Sequence, residues 1–320
     1  MSLADAVAEE VAAAVGLAEG AAGVETVLSA LARLEPVSVR SLGRAADLPV
    51  PIVAAICGEL RRRGHVSETR PVQYTLEGRR RFGARTAAVD PVCPTCGGRG
   101  IEIPHAVGRL RRGLAGVADS APPPLVELDQ CHCTPKTKLR RVLALHAAGA
   151  IAGRRILLLG DDDLVSVTLF RFVRQLGGPP AELVVVDVDR RVLDFVAAEL
   201  DEAPFPVQLV EHDVREPLAG TFDTVVTDPP YTVAGAELFL RRAAAVLSGV
   251  GSQVFLSFGS RRPGAQFALQ RTIAELGLEI RALTRDFNDY VGAGVLGGTS
   301  HLYQLAVPLP ATSDGALYTG

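Results

Sequence analysis

Two short acidic stretches are the parts of this chain best suited to chemistry. One is GDDDLVS, Gly160–Ser166, and the other is DPPYT, Asp228–Thr232. Each follows an apolar run, ILLL and TVV, of the kind that forms a buried strand. Three adjacent carboxylates at a strand end would repel a phosphate, which a glycine-rich turn and a helix N-terminus would instead attract. They suit a cation. In DPPY the two prolines end any ladder and fix the local backbone, so Asp228 has little freedom. Tyr231 offers a π face to a cationic or planar nitrogen. A carboxylate held in this way can grip an amine and draw off its proton. Asp161 and Asp228 are the expected proton acceptors, with Asp162, Asp163, Pro229 and Tyr231 binding the rest of the substrate. The competing reading makes Asp161 a cap on the helix that follows.

The other strand ends extend the pattern. VDVD brings Asp187 and Asp189 to a place where an acid commonly accepts ribose hydroxyls. EHD brings Asp213 to where it would meet an adenine amino group. With Gly160 these form the expected nucleoside side of the site. A nucleoside without phosphate, carrying a positive charge, describes an adenosyl sulfonium: S-adenosylmethionine or its decarboxylated form. Acids near the ligand's tail favour the decarboxylated form, because they attract its ammonium and repel the carboxylate that the parent retains.

The elements that must position these acids alternate strand and helix from about residue 135. This predicts an α/β fold, a Rossmann-like doubly wound parallel sheet of the class I methyltransferase type, over 135–310. Ligands of such sheets lie beyond the carboxyl ends of the strands. Residues 1–23 read as an amphipathic or frayed helix. Residues 24–89 read as a winged helix-turn-helix: three helices, the second capped by Ser38 and the third stopping at Gly64, then a hairpin with Pro71 near its tip. Residues 90–134 are rich in Gly and Pro and read as a linker module, and 311–320 as a tail.

That linker holds four of the five cysteines. Cys93 and Cys96 form a CxxC, and Cys131 and Cys133 a CxC. Two close pairs of thiols predict a closed structural Zn²⁺ site; reduced, partly buried thiols are the competing reading. Cys57 fits helix packing. The chain has 320 residues, 48% hydrophobic and 22% charged, with net charge −3. That balance does not fit a protein that coats nucleic acid. Acidic residues near the start argue against a secretory signal, and no run of about 20 uncharged apolar residues suggests a membrane span. Cytoplasm is the expected compartment. Arginines at 61–63 and 79–81 are basic enough for phosphate, yet the would-be recognition helix opens on PVPIVAA, which cannot read bases. Nucleic acid is not the expected partner.

GDDDLVS, DPPYT and the later FNDYVGAGVLGGTSHLY, together with CPTCGGRG and the LDQ…TP approach to the sheet, resemble the branched-chain polyamine synthase family. The resemblance spans roughly 25–308. It implies transfer of an aminopropyl group from decarboxylated S-adenosylmethionine to the secondary amine of spermidine, with release of methylthioadenosine. It also implies an N-terminal domain that pairs subunits, as in a homodimer, or covers the active site. Asp286 and Asp289, in DFNDY, would hold the far end of the polyamine, and VGAGVLGG would fold over it as a lid. The CHC triplet, Cys131–Cys133, departs from the family pattern and leaves the acceptor open. Two other functions fit parts of the chain: an amino-group methyltransferase of RNA, DNA or protein, and a winged-helix regulator that senses a polyamine or nucleoside.

Overall fold

The structure, a computed structural model, describes residues 3–83, 92–259, 262–291 and 298–309. The chain divides into two compact units: Met1–Gly98 with Ser260–Gln266 and Asp289–Thr299, and Arg99–Gly259 with Phe267–Asn288 and Ser300–Gly320.

The first unit is built on helices α1 (Leu3–Val15), α2 (Gly20–Leu34), α3 (Val39–Ala46), α4 (Val50–Arg62) and α5 (Leu76–Phe82). Val24, Val27, Leu28 and Leu31 recur at helical spacing and are buried on one face of α2. Ser38 caps α3 by accepting the Ser41 amide at 3.0 Å. The first helix is not frayed, since Val7, Ala8, Val11 and Ala12 join the same core as α2–α4. Antiparallel bridges pair Val37 with Val72 and Val66 with Tyr74. The expected hairpin is shorter than its sequence suggests. Thr75 accepts the Gly78 amide and turns the chain into α5, so Arg79–Arg81 lie on a helix.

The second unit begins earlier than composition suggests. Residues 99–134 are no simple linker: α6 (Gly108–Ser120) buries Leu110, Leu114 and Val117 in the core of the α/β unit. The i, i+4, i+7 apolar spacing was present, but dense Gly and Pro around it hid the helix. Then come α7 (Pro135–Ala147), β1 (Arg155–Leu159), α8 (Val165–Leu176), β2 (Glu182–Asp187), α9 (Arg190–Glu199), β3 (Val207–Glu211), β4 (Thr224–Thr227), α10 (Val233–Ala245), β5 (Gln253–Phe258), α11 (Ala265–Glu275), β6 (Glu279–Asp289) and β7 (Thr299–Ala306).

The seven strands lie in the order β3-β2-β1-β4-β5-β7-β6. The pairs among β1–β5 are parallel, but β7 runs antiparallel to β5, so the sheet is mixed rather than parallel throughout. Alternate residues of β1 enter opposite cores. Ile156 and Leu158 pack with α6–α9, and Leu157 and Leu159 with α10 and α11. Each such buried Leu or Ile contributes about 1.5–3 kcal/mol. The strand order reverses between β1 and β4, where Leu159 pairs with Thr227. That register brings the ends carrying Gly160–Asp163 and Asp228 side by side at the switch point, where such sheets bind ligands.

Candidate active site

The loop after β1 is tightly held. Gly160 has φ 78° and donates its amide to Val186 O at 2.8 Å. Leu164 has φ 53°, a left-handed conformation that costs a non-glycine residue about 1–2 kcal/mol. Burial of its side chain and its N–H to Asp161 O at 2.8 Å offset that cost. Asp161 is 1% exposed. Its Oδ1 accepts the Val165 amide at 2.7 Å, and both oxygens engage Ser166, including the Ser166 hydroxyl. This is a helix cap at the start of α8. Burial pushes its carboxyl up to about 7, against the pull of the Ser166 and Val165 hydrogen bonds. Both oxygens of Asp161 are thus engaged in the turn that opens α8, the capping arrangement of the competing reading.

Asp162, Asp163 and Asp228 form the cluster that remains. Asp163 accepts the Cys133 amide at 2.5 Å and Arg141 Nη1 at 2.7 Å. Asp228 accepts Arg141 Nη2 at 2.6 Å. Burial raises the Asp163 carboxyl, but Arg141 and Lys138 outweigh it and hold the group below the ordinary range. Asp162 accepts the Cys131 amide at 3.2 Å. Burial, then the Asp163 and Asp228 carboxylates, push it well above the ordinary range.

A strap from the segment before α7 crosses these strand ends. Asp129 accepts the Tyr231 amide at 3.2 Å, and Gln130 Nε2 donates to Asp189 at 3.1 Å. The Gln130 oxygen accepts the Leu125 amide at 2.8 Å, which fixes the orientation of the carboxamide. The amides of Cys131 and Cys133 then bind Asp162 and Asp163. The strap thus joins the ends of β1, β2 and β4. Beyond β4, Pro229 is buried and the Tyr231 ring meets Phe258 edge-on at 6.0 Å. Thr232 caps α10 by accepting the Gly235 amide at 3.0 Å.

The nucleoside acids divide. Asp187 accepts the amides of Asp161 and Asp189, both at 2.9 Å, so it ties the β1 and β2 loops together. Each of its oxygens keeps a second lone pair. Asp189 caps α9 through the Arg191 amide and pairs with the Arg191 side chain at 2.6 Å. Asp213 is chelated by Arg215 two residues on, which holds it down at about 2. In each of these two a local arginine is bonded to the carboxylate. At the far end, Asp286 sits at φ 49° and donates its amide to His301 Nδ1 at 3.1 Å. Asp289 pairs with Arg44 at 2.5 Å in the first unit. Of the glycine-rich stretch read as a lid, 292–297 lies outside the described residues, as does 311–320.

The structure does not support the expected Zn²⁺ site. Among the described residues, no three His, Cys, Asp or Glu side chains are gathered so as to hold a metal. Burial, then the neighbouring carboxylates, push Cys131 up to about 11 and Cys133 well above the ordinary thiol range. What the CxC supplies to the site is its backbone amides. Cys57 is buried in the first unit's core, as expected.

Sequence reasoning missed Arg141, 3% exposed, whose Nε also donates to Asn288 Oδ1 at 2.8 Å. Asn288 in turn donates to Ser300 Oγ at 2.8 Å and Ser257 Oγ at 3.1 Å. The signal was there in α7: Lys138 and Arg141 share one helical stripe with Val142 and Leu145, so two cations interrupt an apolar face.

Over residues 110–312 the chain matches the family described as branched-chain polyamine synthase A C-terminal domain. It is 32% identical over 291 residues to the N(4)-bis(aminopropyl)spermidine synthase of Thermococcus kodakarensis, covering 86% of this chain and 80% of that protein. The protein of the same name from Thermus thermophilus is 31% identical over 304 residues, covering 91% and 83%. A crystal structure of the branched-chain polyamine synthase from Thermus thermophilus, in complex with N4-aminopropylspermidine and 5′-methylthioadenosine, aligns with a TM-score of 0.74 at 27% identity. That alignment covers 99% of this chain and 96% of that one.

Proposed function

The chain belongs to the branched-chain polyamine synthase family, and from that premise we infer that it moves the aminopropyl group of decarboxylated S-adenosylmethionine onto the secondary amine of spermidine or a similar polyamine. Branched-chain polyamines form and methylthioadenosine leaves. The observation that carries this reading is the loop after β1, where three acids stand in place of glycines, beside Asp228. Such a site repels phosphate and carboxylate and attracts ammonium groups.

The sulfonium is already activated, so the protein's task is alignment and proton removal. Holding the amine lone pair behind the propyl carbon is worth on the order of 7–11 kcal/mol in well-aligned systems. The amine must be neutral to attack. Asp162, raised by burial and by its two acidic neighbours, is matched to take the proton. Asp228, with Pro229 and Tyr231, grips the amine. Gly160 and Asp187 stand on the nucleoside side, and Asp286 near the far end of the acceptor.

The three helices α2–α4 and the bridged segment 66–74 support reading the first unit as a winged helix. Arg62 and Arg63 pair with Glu59, and Arg79 with Glu35; those pairings weigh against phosphate contact. No single helix among the described residues is long and apolar enough to cross a membrane.

The test is incubation with spermidine and each donor in turn. Methylthioadenosine and an aminopropylated polyamine are expected with the decarboxylated donor. Adenosylhomocysteine from intact S-adenosylmethionine would overturn the reading in favour of a methyltransferase.

A further inference from the structure

Arg141 binds with all three of its guanidinium nitrogens. Nη1 meets Asp163 at 2.7 Å, Nη2 meets Asp228 at 2.6 Å and Nε meets Asn288 at 2.8 Å. The Asn288 amide is oriented by a donor-only and an acceptor-only partner: Oδ1 accepts Arg141 Nε, and Nδ2 donates to His301 O at 3.4 Å as well as to Ser257 and Ser300. The planar fork is therefore fixed in one orientation, and it fixes two carboxylates from different strand ends in turn. One helical turn earlier on α7, Lys138 is 1% exposed and its Nζ has no hydrogen-bond partner among the described residues. Its charge acts on Asp163. Of the three clustered acids, Asp162 is the one to which no cation is bonded among the described residues.

We propose that Arg141 is a positioning residue for the transfer: by fixing Asp163 and Asp228 as paired carboxylates, it leaves Asp162 as the acid that takes the amine's proton. This rests on the aminopropyl-transfer reading. Arg141 is bonded to Asp163 and Asp228, and the charge of Lys138 acts on Asp163, so the two cations of α7 are engaged with the neighbours of Asp162. The groups that face Asp162 agree with this assignment. They are Asp163 on its own loop, Asp228 after β4, Asp187 at the end of β2 and Cys131 on the strap. None is a cation that would keep the carboxyl ionised under acid conditions. In the step itself, the protonated secondary amine passes its proton to Asp162. The freed lone pair forms the N–C bond, the C–S bond breaks, and its electron pair stays on sulfur as methylthioadenosine leaves.

The experiment compares wild type with Arg141→Lys and Arg141→Gln in pH profiles of kcat/KM, with methylthioadenosine affinity measured by calorimetry. Arg141→Gln removes a cation from the cluster, so the acid limb is expected to move up by about 1 pH unit or more. Arg141→Lys keeps the charge but loses the fork, so the limb stays while kcat falls ~100-fold. Affinity for methylthioadenosine is expected to hold in both. If Arg141→Gln fails to fold, Asn288→Ala joins Arg141→Lys as the second variant, with kcat expected to fall and the limb to stay. Wild-type kcat and profile in the folded variants would overturn the proposal alone. So would loss of activity in step with loss of methylthioadenosine binding, the mark of a merely structural role. A wild-type protein that releases no methylthioadenosine would overturn the functional reading and the proposal with it.

Discussion

The carboxylate of Asp161 is bound to both the amide and the hydroxyl of Ser166, at the first turn of α8. It caps that helix, although it opens the most acidic triplet in the chain.

Asp161→Asn separates these roles. Asn caps a helix as well as Asp does, so turnover is expected to stay within a few-fold of wild type; a fall of about 100-fold would restore Asp161 as proton acceptor. Stability gives a second measure. The folded carboxyl is raised to about 7, so its contribution is fully present below the unfolded value and is lost as pH rises through 7. The variant should therefore melt higher than wild type at pH 8, with the gap narrowing as pH falls below 7 and closing only below the unfolded value, at about pH 4.

Asp228→Asn is expected to keep the fold and the Arg141 contact through the amide oxygen, while losing the charge that grips the amine. Release of methylthioadenosine should fall by about 10²–10⁴-fold. Wild-type rates in that variant would remove Asp228 from the site.

Gly235 packs α10 against the DPPY turn. A Cβ there would come within 2.9 Å of Pro230 O and 3.0 Å of Thr232 Oγ1. Gly235→Ala is expected to displace the turn and lower kcat more than it lowers the melting temperature, because the shift falls on the segment that aims Asp228 and Tyr231. Steady-state kinetics beside thermal melts would check this.

Thiol labelling at pH 8 should order the cysteines. Cys93 is exposed, and hydrogen bonds from the Cys96 and Thr95 amides lower its pKa. It is expected to react first with a maleimide. Cys131, raised to about 11, and buried Cys133 should react slowly. Chelator treatment should leave that order, and the melting temperature, unchanged. A chelator-induced burst at Cys131 and Cys133 would show that they had been metal ligands.

Local pattern told a good deal. Apolar strands ending in acids located the switch point, and GDDDLVS, DPPYT and the DFNDY segment carried the family likeness. Ser38 announced its cap. What local pattern could not tell was which acid meets which cation. Arg141 finds its partners 22, 87 and 147 residues away; its place on the apolar stripe of α7 marks it as buried, but nothing in KTKLRRVL says which acids it meets. Asp189 and Asp213 read as ligand-binding acids, and the string does not show that each pairs with the arginine two residues on. Three adjacent aspartates are alike as a string. They become a cap, a paired carboxylate and an acid without a counter-cation only when folding sets each beside a different neighbour, because charge state depends on burial and on contacts distant in sequence.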